Sequence, residues 1–232
     1  MKYEAQTAIE MKSFLHGADV DSPPRRKTTL NDSIIRCLDV FFSVGLLIAL
    51  LPTLLIVGIV VKFQDKGPVF FAHRRIGHQA SEFKCLKFRS MYVKSEEILN
   101  HLLSTNAEAH KEWQADHKLR NDPRVTPFGK FMRKSSLDEF PQLINVIRGQ
   151  MSLVGPRPII TAEVPKYGRS FKQYTSVLPG ITGLWQVMGR NDVTYRRRVA
   201  MDRLFAKRKS VTLYLFILFA TIPAVLTQRG SY

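Results

Sequence analysis

The chain has 232 residues and a large excess of positive charge, with 35 Lys and Arg against 19 Asp and Glu and a formal net charge of +16 at pH 7. This length is sufficient for one domain with additional elements, and its two cysteines form no C-x-x-C pair and argue against a disulfide framework. The charge predicts an anionic partner, which is nucleic acid, anionic lipid or a phosphorylated substrate, and it does not choose among them.

The first segment in chain order, residues 1–33, is predicted to be a flexible basic tail. It mixes charged with small polar residues and contains the run DSPPRRKTT, whose prolines and basic residues are typical of a flexible segment. We find no pattern of a cleavable signal peptide in it. Together with the cysteine usage, this indicates a reducing, cytosol-facing location.

An uncharged apolar run follows, VFFSVGLLIALLPTLLIVGIVV, from Val40 to Val61. As a helix, its roughly 22 residues span about 33 Å, which is enough to cross a bilayer. Pro52 lies near the middle and predicts a bend, because proline removes a backbone donor and clashes with the preceding turn. Basic residues flank the run on both sides, whereas a simple span has them mostly on the cytoplasmic side. We therefore predict a re-entrant membrane helix over residues 34–63; a kinked full span and a buried core helix are the alternatives.

The sequence GPVFFAHRRIGHQASEFKCLKFRSM comes next and predicts a small β-hairpin. Two β-type runs, at residues 69–71 and 83–88, flank a turn. Residues 92–119 lack Gly and Pro and predict a helix, interrupted near residues 104–106.

We therefore predict an α+β fold in which residues 64–232 form a small, mostly helical cytoplasmic domain with a short β-hairpin. The re-entrant helix and interfacial helices anchor this domain to the membrane. The sequence has neither a G-x-G-x-x-G motif nor a Walker P-loop, so it does not indicate a doubly wound nucleotide-binding sheet.

Two acids, Asp138 and Glu139, stand side by side in the stretch RKSSLDEFPQLINVIRGQMSLVGPRP. One interpretation is structural, because Ser136 followed by an acid three residues later matches a capping box and acids are stabilised at helix N-termini. The other is chemical, because a carboxylate can attack phosphorus to form an acyl phosphate and an adjacent acid can accept a proton or bind a metal. The local pattern leaves both interpretations open.

Basic residues close to the acids favour the chemical interpretation. Arg133, Lys134 and Arg157 can neutralise a nucleotide diphosphate, which usually also requires Mg²⁺. Arg157 lies between Pro156 and Pro158, and these restrict the backbone in a way that suits a phosphate clamp. A rigid loop with a solvated arginine is the alternative for this segment.

The last apolar stretch, VTLYLFILFATIPAVLT, runs from Val211 to Thr227 and contains Pro223. At roughly 17 residues it is short for a membrane span. We predict a membrane-associated helix that lies in or against the interface. A buried helix of the globular part is the alternative.

Several of these motifs, taken in order, resemble the bacterial sugar transferase family, the monotopic polyprenyl-phosphate phosphoglycosyl transferases. They are GPVFFAHRRIG, FKCLKFRSM, LDEFPQLINVIRGQMSLVGPRP and PGITGLWQVMGRND. The resemblance extends from about residue 34 to the C-terminus. The KFRSM and NDPRVTPFGK stretches are most similar to members that transfer galactosyl phosphate at the start of succinoglycan synthesis. One departure is Leu51 before the bending Pro52, where some members have serine.

The resemblance implies a reaction and a location. Members of the family move a sugar 1-phosphate from a UDP-sugar to undecaprenyl phosphate and release UMP, which initiates an exopolysaccharide repeat unit. They act at the cytoplasmic face of the bacterial inner membrane. On this resemblance Asp138 is the nucleophile that carries the phosphosugar, and Glu139 assists it in activating the acceptor. Mg²⁺ is expected at this pair, with Asp138 as its ligand.

The resemblance also suggests binding residues. Four basic residues are expected at the substrate phosphates: Arg133, Arg157, Lys87 and Arg89. For Lys87 and Arg89 a solvated side chain is an equal alternative. Arg190 and Asn191 are weaker candidates for binding the nucleotide.

Two rivals to this function have distinct signatures. A UDP-releasing glycosyltransferase would need no carboxylate nucleophile, and a non-enzymatic basic scaffold at the membrane surface would need no catalytic acid. Besides the UDP-sugar and undecaprenyl phosphate, we expect anionic membrane lipid as a partner. The apolar run argues against nucleic acid. A homodimer and downstream glycosyltransferases are further candidate partners. The resemblance favours galactose as the sugar, with glucose and N-acetylated sugars as alternatives.

Overall fold

The computed structural model describes residues 29–116, 119, 121–188 and 193–226. Residues 1–28 of the predicted tail therefore lie outside the described residues. The helices are α1 (Leu30–Asp65), α2 (Ser95–Thr105), α3 (Ala107–Asp116), α4 (Pro127–Ser135), α5 (Gln142–Ile147), α6 (Val164–Tyr167), α7 (Phe171–Thr175), α8 (Leu184–Met188), α9 (Tyr195–Arg208) and α10 (Val211–Leu226). The strands are β1 (Phe70–Ile76), β2 (Glu82–Phe88), β3 (Ser152–Val154) and β4 (Gly180–Thr182). Short 3-10 turns cover His78–Ala80, Leu137–Glu139, Thr161–Glu163 and Gly168–Ser170. A mostly helical fold with a small hairpin and one long apolar helix is thus confirmed.

Helix α1 has 36 residues and contains Pro52. Its start is set by a reciprocal cap, because the Thr29 hydroxyl accepts from Asp32 N and the Asp32 carboxylate accepts from Thr29 N at 3.0 Å. The helix therefore extends beyond the predicted bounds of 34–63 at both ends. By length and apolar composition it could cross a membrane.

The N-terminal half of α1 packs on the globular domain through polar anchors. The Arg36 guanidinium donates to the carbonyl oxygens of Val146 and Ile147, at 2.6 and 2.8 Å, at the C-terminal end of α5. The buried Asp39 carboxylate accepts from Leu153 N at 2.8 Å. These contacts hold the helix against α5 and β3.

The C-terminal half of α1 packs on the same domain through an apolar cluster. Val57 and Val61 are buried with Phe88 of β2 and Met132 of α4. Between the two contact regions, large apolar side chains of α1 are exposed: Ile48, Leu51, Leu55 and Ile56. The middle of the helix therefore presents an apolar surface that the domain does not cover.

Arg89, directly after β2, holds the end of α1. Its guanidinium donates to Val61 O at 3.1 Å and forms an ion pair with Asp65, whose carboxylate also accepts from Val93 N at 2.7 Å. Arg89 is only 8% exposed. This clamp joins α1 to the hairpin.

The predicted hairpin is confirmed, with β1 and β2 antiparallel and Phe71 opposite Lys87. Asn145 of α5, which is fully buried, ties β2 to the helix. Its side-chain oxygen accepts from Leu86 N at 2.9 Å and its amide donates to Lys84 O at 2.8 Å. These bonds determine the position of Lys87 relative to the segment between α4 and α5.

The predicted interruption of the following helix is also confirmed. Asn106 separates α2 from α3, and its side-chain oxygen accepts from the backbone N–H groups of Glu108 and Ala109, each at 3.0 Å. It therefore caps the start of α3.

A second, parallel pair of strands, β3 and β4, was not predicted. Ser152 lies opposite Gly180 and Val154 opposite Thr182. Beyond β3 the backbones remain close, because Gly180 N donates to Pro156 O at 2.8 Å. A Cβ at Gly180 would collide with the backbone of Gly155, so this approach requires glycine. The pairing places the start of the Pro156-Arg157-Pro158 segment beside β4.

Helix α10 combines the two alternatives considered for the last apolar stretch. Tyr214 and Ile217 are fully buried in the core, whereas Phe216, Phe219 and Ile222 are 57–60% exposed. One face therefore packs on the domain and the other is apolar and uncovered, as an interfacial helix requires.

We expect Arg89→Ala to lower the free energy of unfolding by about 3 kcal/mol and Tm by about 6–12 °C, because it leaves the partly buried Asp65 without its partner. Arg74→Ala is the matched control, since the Arg74–Glu82 pair spans 3.8 Å and the Arg74 side chain is 79% exposed. Removing an exposed pair should change stability by about 0–1 kcal/mol. Thermal unfolding in detergent measures both variants, and equal shifts would contradict the clamp.

Candidate active site

The acids Asp138 and Glu139 lie on the 3-10 turn Leu137–Glu139, directly after α4. The capping-box interpretation is wrong. Ser136 ends α4 in the left-handed conformation, with φ 58° and ψ 16°, and its side chain caps no helix. This sharp change of direction separates the acids from the start of α5.

The Glu139 carboxylate binds two cationic side chains. Its Oε1 accepts from Lys87 Nζ at 2.6 Å and from Arg157 Nη2 at 3.3 Å. Burial acts to raise the pKa of Glu139, but Arg157 and Lys87 outweigh it and hold the pKa at about 2. Glu139 is therefore ionised and a weak proton acceptor at neutral pH.

The neighbouring Asp138 is in a different environment. It is 7% exposed, and its Oδ2 lies 3.8 Å from Lys87 Nζ. Burial raises the pKa of Asp138, Lys87 opposes the rise and Glu139 adds to it. The two acids thus differ. Glu139 is neutralised by two cations, whereas Asp138 is desolvated and its ion-pair contact with Lys87 is long.

The position of Arg157 depends on a buried tyrosine of α7. The Tyr174 hydroxyl donates to Ile76 O at 2.9 Å, accepts from Ile159 N at 3.1 Å and lies 3.4 Å from Arg157 O. In addition, Ile76 N donates to Ile159 O at 2.9 Å. The Pro156-Arg157-Pro158 segment is therefore held against the end of β1.

Arg133 lies near Asp138, but its side chain binds Ser90 and not the acids. Its Nε donates to Ser90 Oγ at 2.9 Å. Burial lowers the pKa of Arg133, and the charge of Asp138 opposes this effect. Arg133 thus contributes positive potential at Asp138.

Arg75 was missed as a site residue. Arg75 lines a small pocket. The other residues that line this pocket include Lys87, Glu139, Gln142, Arg157 and Gly180. In the hairpin register Arg75 lies opposite Phe83, and alternate residues of β2 lead from Phe83 to Lys87. This alternation places Arg75 and Lys87 on one face and is the signal that could have found it.

Among the described residues, the predicted site residue Arg89 does not join this group. Arg89 lies in the clamp at the end of α1. Arg190 and Asn191 lie outside the described residues.

A magnesium ion can be tested against this donor set. Across the described parts of the chain there is no group of three His, Cys, Asp or Glu side chains placed to bind a metal. One oxygen of Glu139 is already shared by Lys87 and Arg157. Mg²⁺ commonly takes one or two carboxylates together with substrate phosphates and water. Asp138 therefore fits as a single protein ligand beside a bound phosphate.

The chain is similar to a family of known proteins and to several of its individual members. The family described as bacterial sugar transferase matches residues 30–228. The exopolysaccharide production protein ExoY of Rhizobium meliloti is 49% identical over 197 residues, which are 85% of this chain and 87% of that protein. The undecaprenyl-phosphate galactose phosphotransferase of Salmonella typhimurium is 45% identical over 85% of this chain and 41% of its own length. The UDP-glucose:undecaprenyl-phosphate glucose-1-phosphate transferase of Xanthomonas campestris is 38% identical over 84% of this chain and 39% of its own length.

Three basic side chains, Arg75, Lys87 and Arg157, thus line a small pocket with Glu139, and Asp138 lies next to Glu139 in sequence. The chain belongs to the bacterial sugar transferase family. The predicted family and the predicted class of enzyme, a sugar-phosphate transferase, are therefore confirmed.

We expect Arg157→Gln to raise the pKa of Glu139 from about 2 towards the ordinary value of 4.5, because Arg157 is the stronger of the two opposing charges. A depressed pKa means that the ionised Glu139 stabilises the fold above about pH 4.5 and that this contribution is lost as the pH falls towards 2. Carbon NMR titration of labelled glutamate measures the shift. The exposed Arg169→Gln serves as control, and an unchanged Glu139 pKa in Arg157→Gln would contradict the assignment.

Proposed function

We propose that this protein transfers a hexose 1-phosphate from a UDP-sugar to undecaprenyl phosphate and releases UMP, as the first step of an exopolysaccharide repeat unit. The observation that carries the proposal is the pairing of a desolvated Asp138 with a neighbour, Glu139, that holds two cations. The printed names of the Salmonella and Xanthomonas relatives give undecaprenyl phosphate as the acceptor. They give galactose and glucose respectively, and UDP-galactose is our first candidate donor because the galactose relative is the more similar.

In the first step we assign Asp138 as the nucleophile. One carboxylate oxygen attacks the phosphorus that carries the sugar, and the bond from this phosphorus to the oxygen of the UMP phosphate breaks. UMP leaves with the bonding electron pair, and the sugar phosphate remains on Asp138 as an acyl phosphate. Desolvation favours this attack, because a carboxylate with a raised pKa is a stronger nucleophile than a solvated one.

In the second step an oxygen of undecaprenyl phosphate attacks the same phosphorus. The bond to Asp138 breaks, and the carboxylate is regenerated with the electron pair. The second pKa of a phosphate monoester is about 6, so the acceptor is largely a dianion at pH 7 and needs no base to remove a proton.

We therefore infer that Glu139 serves as a holder of cations rather than as a base. Its low pKa makes it a poor proton acceptor. Before substrate binds, Glu139 neutralises Lys87 and Arg157 and keeps both side chains in the pocket. The diphosphate of the donor then competes with Glu139 for Lys87 and Arg157. Both side chains are already placed to bind it. Mg²⁺ bound at Asp138 would neutralise further charge of the diphosphate.

We further propose that α1 enters and leaves the membrane on the same side. Arg36 binds the carbonyl of Val146, adjacent to Asn145, which in turn binds Leu86. Arg89, three residues further along, binds Val61 O. Both ends of α1 thus contact neighbouring parts of one small domain, whereas a straight helix would separate residues 36 and 61 by about 37 Å.

We expect Asp138→Asn to lower UMP release by about a thousandfold or more, because the variant lacks the nucleophile. The assay supplies UDP-galactose or UDP-glucose with undecaprenyl phosphate and Mg²⁺, and it identifies the nucleotide that is released. Glu96→Gln, an exposed acid on α2, is the control and should retain wild-type rates. Release of UDP would overturn the proposal in favour of a plain glycosyltransferase, and wild-type function without any nucleotide release would favour a scaffold.

Single cysteines at Thr29 and Lys66, both exposed, test the re-entrant helix in a Cys37→Ser background. A membrane-impermeant maleimide should label both positions in inverted vesicles and neither in intact cells. Labelling of one position from outside the cell would indicate a full span instead.

A further inference from the structure

An apolar groove lies between the C-terminal half of α1 and the hairpin, and we call it the membrane-side groove. Its lining includes Leu54, Gly58 and Ile59 of α1 together with Val69, Phe70 and Phe88. The cavity volume is about 380 Å³, which lies within the range of roughly 300–1,000 Å³ that is usual for ligand sites. Lys62 is the only charged residue among the described residues that line it.

The groove lies beside the chain segment that carries the catalytic acids. Phe88, which lines it, directly follows Lys87 in β2, and Lys87 contacts both Asp138 and Glu139. Phe88 also packs in one cluster with Leu137, the residue before Asp138. The packing of Phe88 with Leu137 therefore places the groove beside the turn that carries Asp138, although Lys87 itself points to the other face of the hairpin.

The open side of the groove faces the same environment as the apolar surface of α1. Ile59 and Phe70 are 57% and 53% exposed, and contiguous exposed apolar surface of this kind marks a site that a membrane, an apolar ligand or a protein partner covers. A ligand that suits this arrangement is apolar along its length and carries a phosphate at one end. The acceptor of the proposed reaction has this chemistry.

We propose that the membrane-side groove holds the first isoprene units of the polyprenyl phosphate acceptor, so that its phosphate reaches Asp138. This inference rests on the proposed function. Lipid tails are as apolar as the groove, so transfer of the chain out of the bilayer contributes little affinity. The groove instead orients the acceptor, and its loss should reduce acceptor turnover more than membrane attachment.

Two glycines of α1 provide a matched pair of variants. A Cβ at Gly58 would lie 3.6 Å from Val69 Cγ1, an ordinary contact, so Gly58→Leu fills the groove. A Cβ at Gly45 meets nothing within 4 Å, so Gly45→Leu adds the same side chain elsewhere on the helix. Both changes raise helix propensity.

In lipid nanodiscs we expect Gly58→Leu to keep the wild-type burst of UMP from UDP-galactose without acceptor. Its kcat/KM for undecaprenyl phosphate should fall by at least about tenfold, while Gly45→Leu changes neither quantity. Acceptor kinetics of Gly58→Leu within about twofold of Gly45→Leu would overturn the groove assignment. Absence of the burst in the wild type would instead overturn the proposed covalent mechanism.

Photocrosslinking tests the groove independently of catalysis and of any folding defect in Gly58→Leu. The photoreactive residue p-benzoylphenylalanine replaces Ile59 in the groove or Ile48 on the exposed middle of α1, and labelled undecaprenyl phosphate is supplied in phosphatidylglycerol vesicles. We expect crosslinking at position 59 that unlabelled undecaprenyl phosphate competes away and that exceeds crosslinking at position 48. Equal crosslinking at both positions, or competition by added phosphatidylglycerol, would mean that bulk lipid fills the groove and would overturn the proposal.

Discussion

The contact of Glu139 with Lys87 and Arg157 is the interaction on which the site depends. An ionised carboxylate is costly to bury without a partner, and here two cations from different chain segments pair with Glu139. The adjacent Asp138 is left desolvated, with the 3.8 Å contact to Lys87 as its nearest ion pair in the described chain. The pairing of Glu139 with Lys87 and Arg157 therefore explains why the two neighbouring acids have different environments. It also explains why positive charge is held next to them.

The rest of the domain holds the three partners of this contact in place. Asn145 fixes the strand that carries Lys87, and Tyr174 fixes the segment that carries Arg157. Ser136 turns the chain after α4 so that the acids lie away from the start of α5. Asn145 and Tyr174 both bond to backbone groups of distant segments, so the geometry of the site depends on the whole fold.

Much of the architecture could be predicted from sequence, because its signals are local. The long apolar helix, the hairpin and the interruption at Asn106 follow from hydrophobic pattern and capping chemistry. The parallel pairing of β3 with β4 could not be predicted, because three-residue strands have too short a pattern. The same limit applies to the site. The Asp138-Glu139 pair was identified from its motif, whereas the roles of Arg75 in the pocket and of Arg89 in the clamp depend on the strand register and on contacts far apart in sequence.

The central claim is that Asp138 carries the sugar phosphate between the two substrates. The most direct measurement is mass spectrometry of the protein after a short reaction with UDP-galactose in the absence of acceptor, followed by peptide mapping. We expect a mass increase of one hexosyl phosphate on the peptide that contains Asp138, and loss of this mass when undecaprenyl phosphate is added. An unmodified protein that nevertheless transfers sugar phosphate, or a modification on another residue, would contradict it.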